Sequence, residues 1–228
     1  MKLFNIDFNC AIFDMDGTLL DSMEMWHTAS DKYLLSKGKI PETGLWNKVK
    51  WLNMTETVNY LISEYALSGK PEEIQEEILR QIQEEYEKNL QLKEGAKELL
   101  EKLSESGIPC VLATATARKC VIPCLKRLGI EKYFTGIITC LDLNTSKSRP
   151  LIFEKACGLG NSAPGKAVVF EDALHALRTA HSAGFKTCAV YDKSSEEKTE
   201  PPETDWQRLV KISDLNIHSL KEALCNLK

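Results

Sequence analysis

"CAIFDMDGTLLDS", residues 10–22, drives four apolar residues into Asp14 and, two positions later, into Asp16. On a continuing strand, side chains at i and i+2 share a face, and two carboxylates there would repel each other. Such a pattern is stable if a positive group stands between the acids, or if the strand ends and the chain turns. Gly17 and Thr18 follow at once.

Four more short apolar runs read as buried strands of a parallel sheet: "CVLA" at 110–113, "GIIT" at 136–139, "AVVF" at 167–170 and "TCAVY" at 187–191. Amphipathic segments separate most of them. In "EGAKELLEKLSESG" (94–107), Ala96, Leu99, Leu100 and Leu103 fall at helical spacing, and Gly107 can end the helix. "PLIFEKACGLG" (150–160) and "DALHALRTAHSAG" (172–184) have the same character. In "RKCVIPCLKRLG", Pro123 should kink or delay the helix. Alternating strand and helix predicts a doubly wound, Rossmann-like α/β core.

One interval breaks the alternation. Between Asp21 and about Leu90 no strand is evident, and "EEIQEEILRQIQEEYEKNL" (72–90) places Ile74, Ile78, Ile82 and Tyr86 on one helical face. "EMWHTASDKYLLSKG" and "TETVNYLISEYALSG" are helical too. The expected organisation is therefore an α/β core from residues 1–20 and 91–228, with an inserted α-helical unit at 21–90. "YDKSSEEKTEPPETDW" (191–206) reads as a surface loop.

Composition narrows the function classes. The chain has 228 residues, 43% hydrophobic and 27% charged, with a net charge of −4. There is no basic excess to hold a phosphate backbone, so no nucleic-acid partner is expected. No apolar run reaches the roughly 18–20 residues of a membrane span, so no membrane partner is expected either. The opening residues do not read as a signal peptide. Eight cysteines without a C-x-x-C pair read as buried free thiols in a reducing compartment, the cytoplasm. A monomer is expected.

In open parallel sheets, ligands bind outside the carboxyl ends of the strands. Asp14 and Asp16 follow the first strand, and Thr114 ends the second. Lys147 lies beyond the third, and Glu171 and Asp172 end the fourth. A divalent hard cation would hold Asp14, Asp16 and Asp172 together, because oxygen ligands suit Mg²⁺. Lys147 adds further positive charge. The same acids have ordinary readings as well: Asp14 and Asp16 as a turn, Glu171 and Asp172 as helix-capping groups.

"FDMDGTLLDS", "LATATA", "K…P" and "VVFED", in that order, resemble the four motifs of the haloacid dehalogenase-like superfamily. An insert directly after the first motif resembles the helical cap of its beta-phosphoglucomutase/phosphoglycolate phosphatase type. The resemblance implies an Mg²⁺-dependent phosphohydrolase acting on a small phosphorylated metabolite through an aspartyl phosphate. It implies Asp14 as nucleophile and Asp16 as general acid and base, the latter also a metal ligand through its backbone carbonyl. Thr114, with Ala115 beside it, and Lys147 would bind the phosphoryl group. Asp14, Asp172 and Glu171 would complete the metal's surroundings. The inserted helices would read the substrate, with Lys50 and Trp51 as candidates. Two motifs depart from the usual pattern: "KSRPL" lacks the first proline and the aspartate of K-P-x-P-D, and "EDALHA" lacks a serine and a glycine. A hexose-phosphate mutase on the same core is the alternative reading, and a non-catalytic binding module is the alternative from another class.

Overall fold

The computed structural model describes residues 1–50, 52–199 and 201–228. In chain order the strands are β1 (Lys2–Leu3), β2 (Ile6–Asp7), β3 (Cys10–Phe13), β4 (Cys110–Thr114), β5 (Phe134–Thr139), β6 (Ala167–Glu171), β7 (Lys186–Val190) and β8 (Leu215–Ile217). The helices are α1 (Met23–Ser36), α2 (Leu45–Val49), α3 (Met54–Tyr65), α4 (Pro71–Lys88), α5 (Ala96–Glu105), α6 (Arg118–Leu128), α7 (Leu151–Leu159), α8 (Leu174–Ser182), α9 (Asp205–Ile212) and α10 (Leu220–Cys225). The chain divides into two compact units, Met1–Asp21 with Leu90–Lys228, and Ser22–Asn89.

The first unit is built on a six-stranded sheet in the order β5-β4-β3-β6-β7-β8, and every neighbouring pair is parallel. β3 is central because its four residues are all buried, as a strand covered on both faces requires. Phe13 pairs with Phe170 across β3 and β6, and their rings stack at 4.5 Å. Ile152, Phe153, Ala156 and Cys157 of α7 join Ala176 and Ala180 of α8 in one core with Cys10, Ile12, Val111 and Val169. From β3 the chain winds outward through β4 to β5, then returns to lay β6 on the other side of β3. That reversal is the switch point at which an open parallel sheet forms its crevice.

The second unit is helical, and its longest helix shows why. α4 opens on Pro71 with Glu72 and Glu73 in its first turn, and it has Lys88 in its last, which suits the helix dipole. Ile74, Ile78, Ile82 and Tyr86 are all buried, as the one-face spacing predicts. Asn53 and Glu56 form a capping box at the start of α3.

Several expectations need correction. β8 escaped the sequence reading, because it is three residues long with a single buried side chain, Ile217. α6 starts at Arg118 and runs through Pro123, so the proline does not delay it. The residues after Tyr191 are more than a surface loop: Asp192 and Ser195 are buried, and a short 3₁₀ turn covers Lys193–Glu196. Seven cysteines are buried free thiols, but Cys225 is exposed. No helix among the described residues is long and apolar enough to cross a membrane.

Candidate active site

β3 ends at Phe13, and the Asp14 N–H makes one more ladder bond, to the Phe170 carbonyl at 3.0 Å. The chain then turns: Gly17 donates to the Leu20 carbonyl at 3.0 Å, and Leu19 and Leu20 both donate to Met15. Gly17 adopts φ +81°, a conformation that disfavours side chains, and a Cβ there would run into the Asp172 carboxylate. The two acids of the opening motif therefore part company, and each meets a different partner.

Asp14 is buried and accepts from the Lys147 ammonium, which also donates to Glu171 Oε2 at 2.8 Å. Lys147 itself is buried. Burial alone would lower its pKa, but Asp14 and Glu171 outweigh it and raise it, so the ammonium stays charged. Asp172 accepts from the Thr18 hydroxyl at 2.8 Å. Asp16 accepts from the Thr116 hydroxyl at 2.5 Å. Thr114 is buried at the end of β4, and its hydroxyl oxygen accepts the Thr116 N–H at 3.0 Å. That leaves its own proton to donate. Ala115, between them, is exposed.

Among the described residues, Asp14, Glu171 and Asp172 form a group with one carboxylate oxygen each, mutually within 4.8 Å and all buried. Burial pushes all three pKa values up. For Asp14 the Lys147 ammonium opposes the rise and Asp16 adds to it. Glu171 reaches about 8, with Asp14 adding to the effect of burial. Asp172 is raised well above the usual range, by burial first and then by Glu171 and Asp14. Were all three ionised, they would outnumber the single ammonium by two charges. A divalent cation with a preference for oxygen fits that deficit and that donor set. The Asp16 carboxylate is not part of the group.

Supporting contacts hold the loop that carries Lys147. The Asp142 carboxylate accepts from the Thr139 N–H at 2.9 Å and from Arg118 at 2.7 Å, and Cys140 donates to the Thr114 carbonyl at 2.8 Å. The loop is thus tied to the start of α6 and the end of β4. In the helical unit, Lys50 closes α2, and Lys48 donates to Glu42 at 2.6 Å. Trp51, named as a substrate candidate, lies outside the described residues.

Sequence reasoning did not single out three groups. Thr116 stands two positions beyond Thr114 in "TAT", a spacing that repeats the hydroxyl. Thr18 follows Gly17 in the opening motif. Lys93 had no signal, because nothing in "QLKEG" marks the lysine as reaching across the fold.

Residues 11–190 match the family described as Haloacid dehalogenase-like hydrolase. The "Phosphorylated carbohydrates phosphatase" of Thermotoga maritima is 27% identical over 93% of this chain and 98% of its own. A Thermotoga maritima protein solved under the provisional name beta-phosphoglucomutase superposes with a TM-score of 0.81 at 24% identity, covering 96% of this chain and 97% of that one. A HAD hydrolase of family IA, variant 3, from Entamoeba histolytica gives a TM-score of 0.75 at 19% identity over 94% of this chain and 95% of that one. These structural likenesses concern the fold, whereas the family match runs from within β3 to the end of β7 and includes Asp14, Asp16, Thr114, Lys147, Glu171 and Asp172. The chain belongs to the haloacid dehalogenase-like hydrolase family.

Proposed function

We propose that this chain is an Mg²⁺-dependent phosphatase that cleaves a small phosphorylated metabolite, of the sugar-phosphate kind, through an aspartyl phosphate at Asp14. The observation that carries the reading is the placement of Asp14 beside the Lys147 ammonium and within 4.8 Å of Glu171 and Asp172. The phosphatases named among its relatives, that of phosphorylated carbohydrates included, support the substrate class.

In the first step an Asp14 carboxylate oxygen attacks phosphorus, and the P–O bond to the leaving group breaks. Asp16 gives its proton to that departing oxygen. In the second step Asp16 takes a proton from water, whose oxygen attacks phosphorus and releases inorganic phosphate, regenerating the Asp14 carboxylate. Thr116 orients the Asp16 carboxylate through its hydroxyl. Lys147 offsets the repulsion between the Asp14 carboxylate and the incoming phosphoryl group. The Thr114 hydroxyl and the Ala115 N–H supply donors for the phosphoryl oxygens. Asp14, Asp172 and Glu171 would hold the metal, with the Asp16 carbonyl added by family resemblance; when bound it offsets charge on the phosphoryl oxygens.

Seven buried free thiols support a reducing compartment such as the cytoplasm. The test is a panel of sugar phosphates and related monoesters assayed with Mg²⁺. Phosphate release from several small monoesters, abolished in Asp14→Asn, is expected. A protein that binds such esters and never releases phosphate would contradict the reading.

A further inference from the structure

Lys93 makes three ammonium hydrogen bonds away from the carboxylate cluster. It lies just before α5, with its side chain 16% exposed. Its Nζ donates to the Gly17 carbonyl at 2.7 Å, to the Tyr191 carbonyl at 2.7 Å and to Asp192 Oδ2 at 2.9 Å. That accounts for all three donors of an ammonium. Its backbone N–H also donates, to the Leu19 carbonyl at 2.9 Å. One residue thus grips the loop after β3 twice and ties it to the end of β7.

The other partners are built for the task. Asp192 is 5% exposed, and its second oxygen accepts from the Ser194 N–H at 2.9 Å and the Ser194 hydroxyl at 2.7 Å. Burial pushes the Asp192 carboxyl up, but the Lys93 charge and the Ser194 donors outweigh it and hold it below the ordinary range. Both oxygens of the Asp192 carboxylate are thus hydrogen-bonded, which a buried charge needs.

What Lys93 holds is the short arc from Asp16 to Thr18. Asp16 precedes the gripped carbonyl by one residue. A Cβ at Gly17 would collide with the Asp172 carboxylate, and Thr18 donates to that same carboxylate. A rotation of the Gly17 peptide would move all three at once.

We propose that Lys93 is a positioning residue of this site: its ammonium locks the Gly17 carbonyl to the end of β7 and so fixes where Asp16 and Thr18 stand. It touches neither substrate nor reacting atoms. The kinetic consequence rests on the reading of Asp16 as the acid–base group, whereas the structural consequence does not.

The experiment compares wild type, Lys93→Met and Asp192→Asn by two readouts. The first is turnover of an aryl phosphate with Mg²⁺. Lys93→Met should lower kcat by about 10- to 100-fold and leave KM within about threefold, the pattern of a misplaced catalytic group. The second is amide hydrogen exchange without substrate. Exchange at Gly17, Leu19 and Leu20 should quicken by about tenfold or more, with the β6 amides unchanged. Asp192→Asn, which keeps the shape and removes the counter-charge, should move both readouts the same way and less far. It decides the matter if Lys93→Met does not fold. Unchanged exchange at 17–20, or quickening spread evenly through the core, would overturn the proposal. A wild type without turnover would instead count against the phosphatase reading, and the exchange result would still decide the role of Lys93.

Discussion

Thr18 donates its hydroxyl to Asp172 Oδ1 at 2.8 Å, across 154 residues of sequence. The bond joins the loop after β3 to the end of β6 and turns one carboxylate oxygen away from free rotation. A carboxylate fixed in this way presents its other oxygen in one direction. Outer partners of metal ligands matter for that reason, since they orient the ligand before the metal arrives.

Thr18→Val should therefore raise the Mg²⁺ concentration for half-maximal activity by about tenfold. The methyl group fills the hydroxyl's space but leaves Asp172 Oδ1 without its donor. Activity titrated with Mg²⁺ at saturating substrate measures the shift. An unchanged midpoint would show that the hydroxyl does not support a metal ligand.

The pH dependence of stability has a definite sign in the presence of chelator. Glu171 is raised to about 8, against roughly 4.3 for an ordinary glutamate, and Asp14 and Asp172 move in the same direction. In that window the folded state binds more protons than the unfolded state, so stability falls as pH rises. The contribution is fully present below the unfolded value and is lost on passing through the folded one. Melting temperatures in EDTA should thus decline from pH 5 to pH 8, and saturating Mg²⁺ should flatten the decline. The protein should remain folded in EDTA at pH 7, because the core already fixes both ends of the cluster. A melting temperature in EDTA that climbs over this range would contradict the charge excess.

Lys147→Met should abolish activity and also cost about 3–5 kcal/mol of stability, because it strands three buried carboxylates without their ammonium. Mg²⁺ should restore part of that loss by replacing the missing charge. Denaturant midpoints with and without the metal check both statements.

Thr116→Val should lower kcat by roughly tenfold, the scale of one charge-assisted hydrogen bond at about 1.5 kcal/mol. KM should hardly change if the hydroxyl only orients Asp16. A KM effect of the same size with kcat intact would place Thr116 in phosphoryl binding instead.

Much of this architecture was legible in the sequence because its signals are periodic or terminal. Four buried residues ahead of Asp14 announce a central strand, and Ile74, Ile78, Ile82 and Tyr86 announce the buried face of α4. Asp14, Lys147, Glu171 and Asp172 could be gathered because each follows a recognisable apolar run. What stayed hidden depends on side chains that reach across the fold. Lys93 and Asp192 sit in polar segments indistinguishable from solvated loops, and they are withdrawn from solvent only because the two segments meet. β8 has too few residues for any period to register.

Turnover through an aspartyl phosphate requires that Asp14 become covalently phosphorylated. The direct measurement is to quench the enzyme in acid during turnover of an aryl phosphate, reduce the acyl phosphate with borohydride, and locate the product by mass spectrometry of peptides. Homoserine in place of aspartate is expected at position 14, in wild type and not in Asp14→Asn. Steady turnover with an unmodified Asp14, or with the label on another residue, would contradict it.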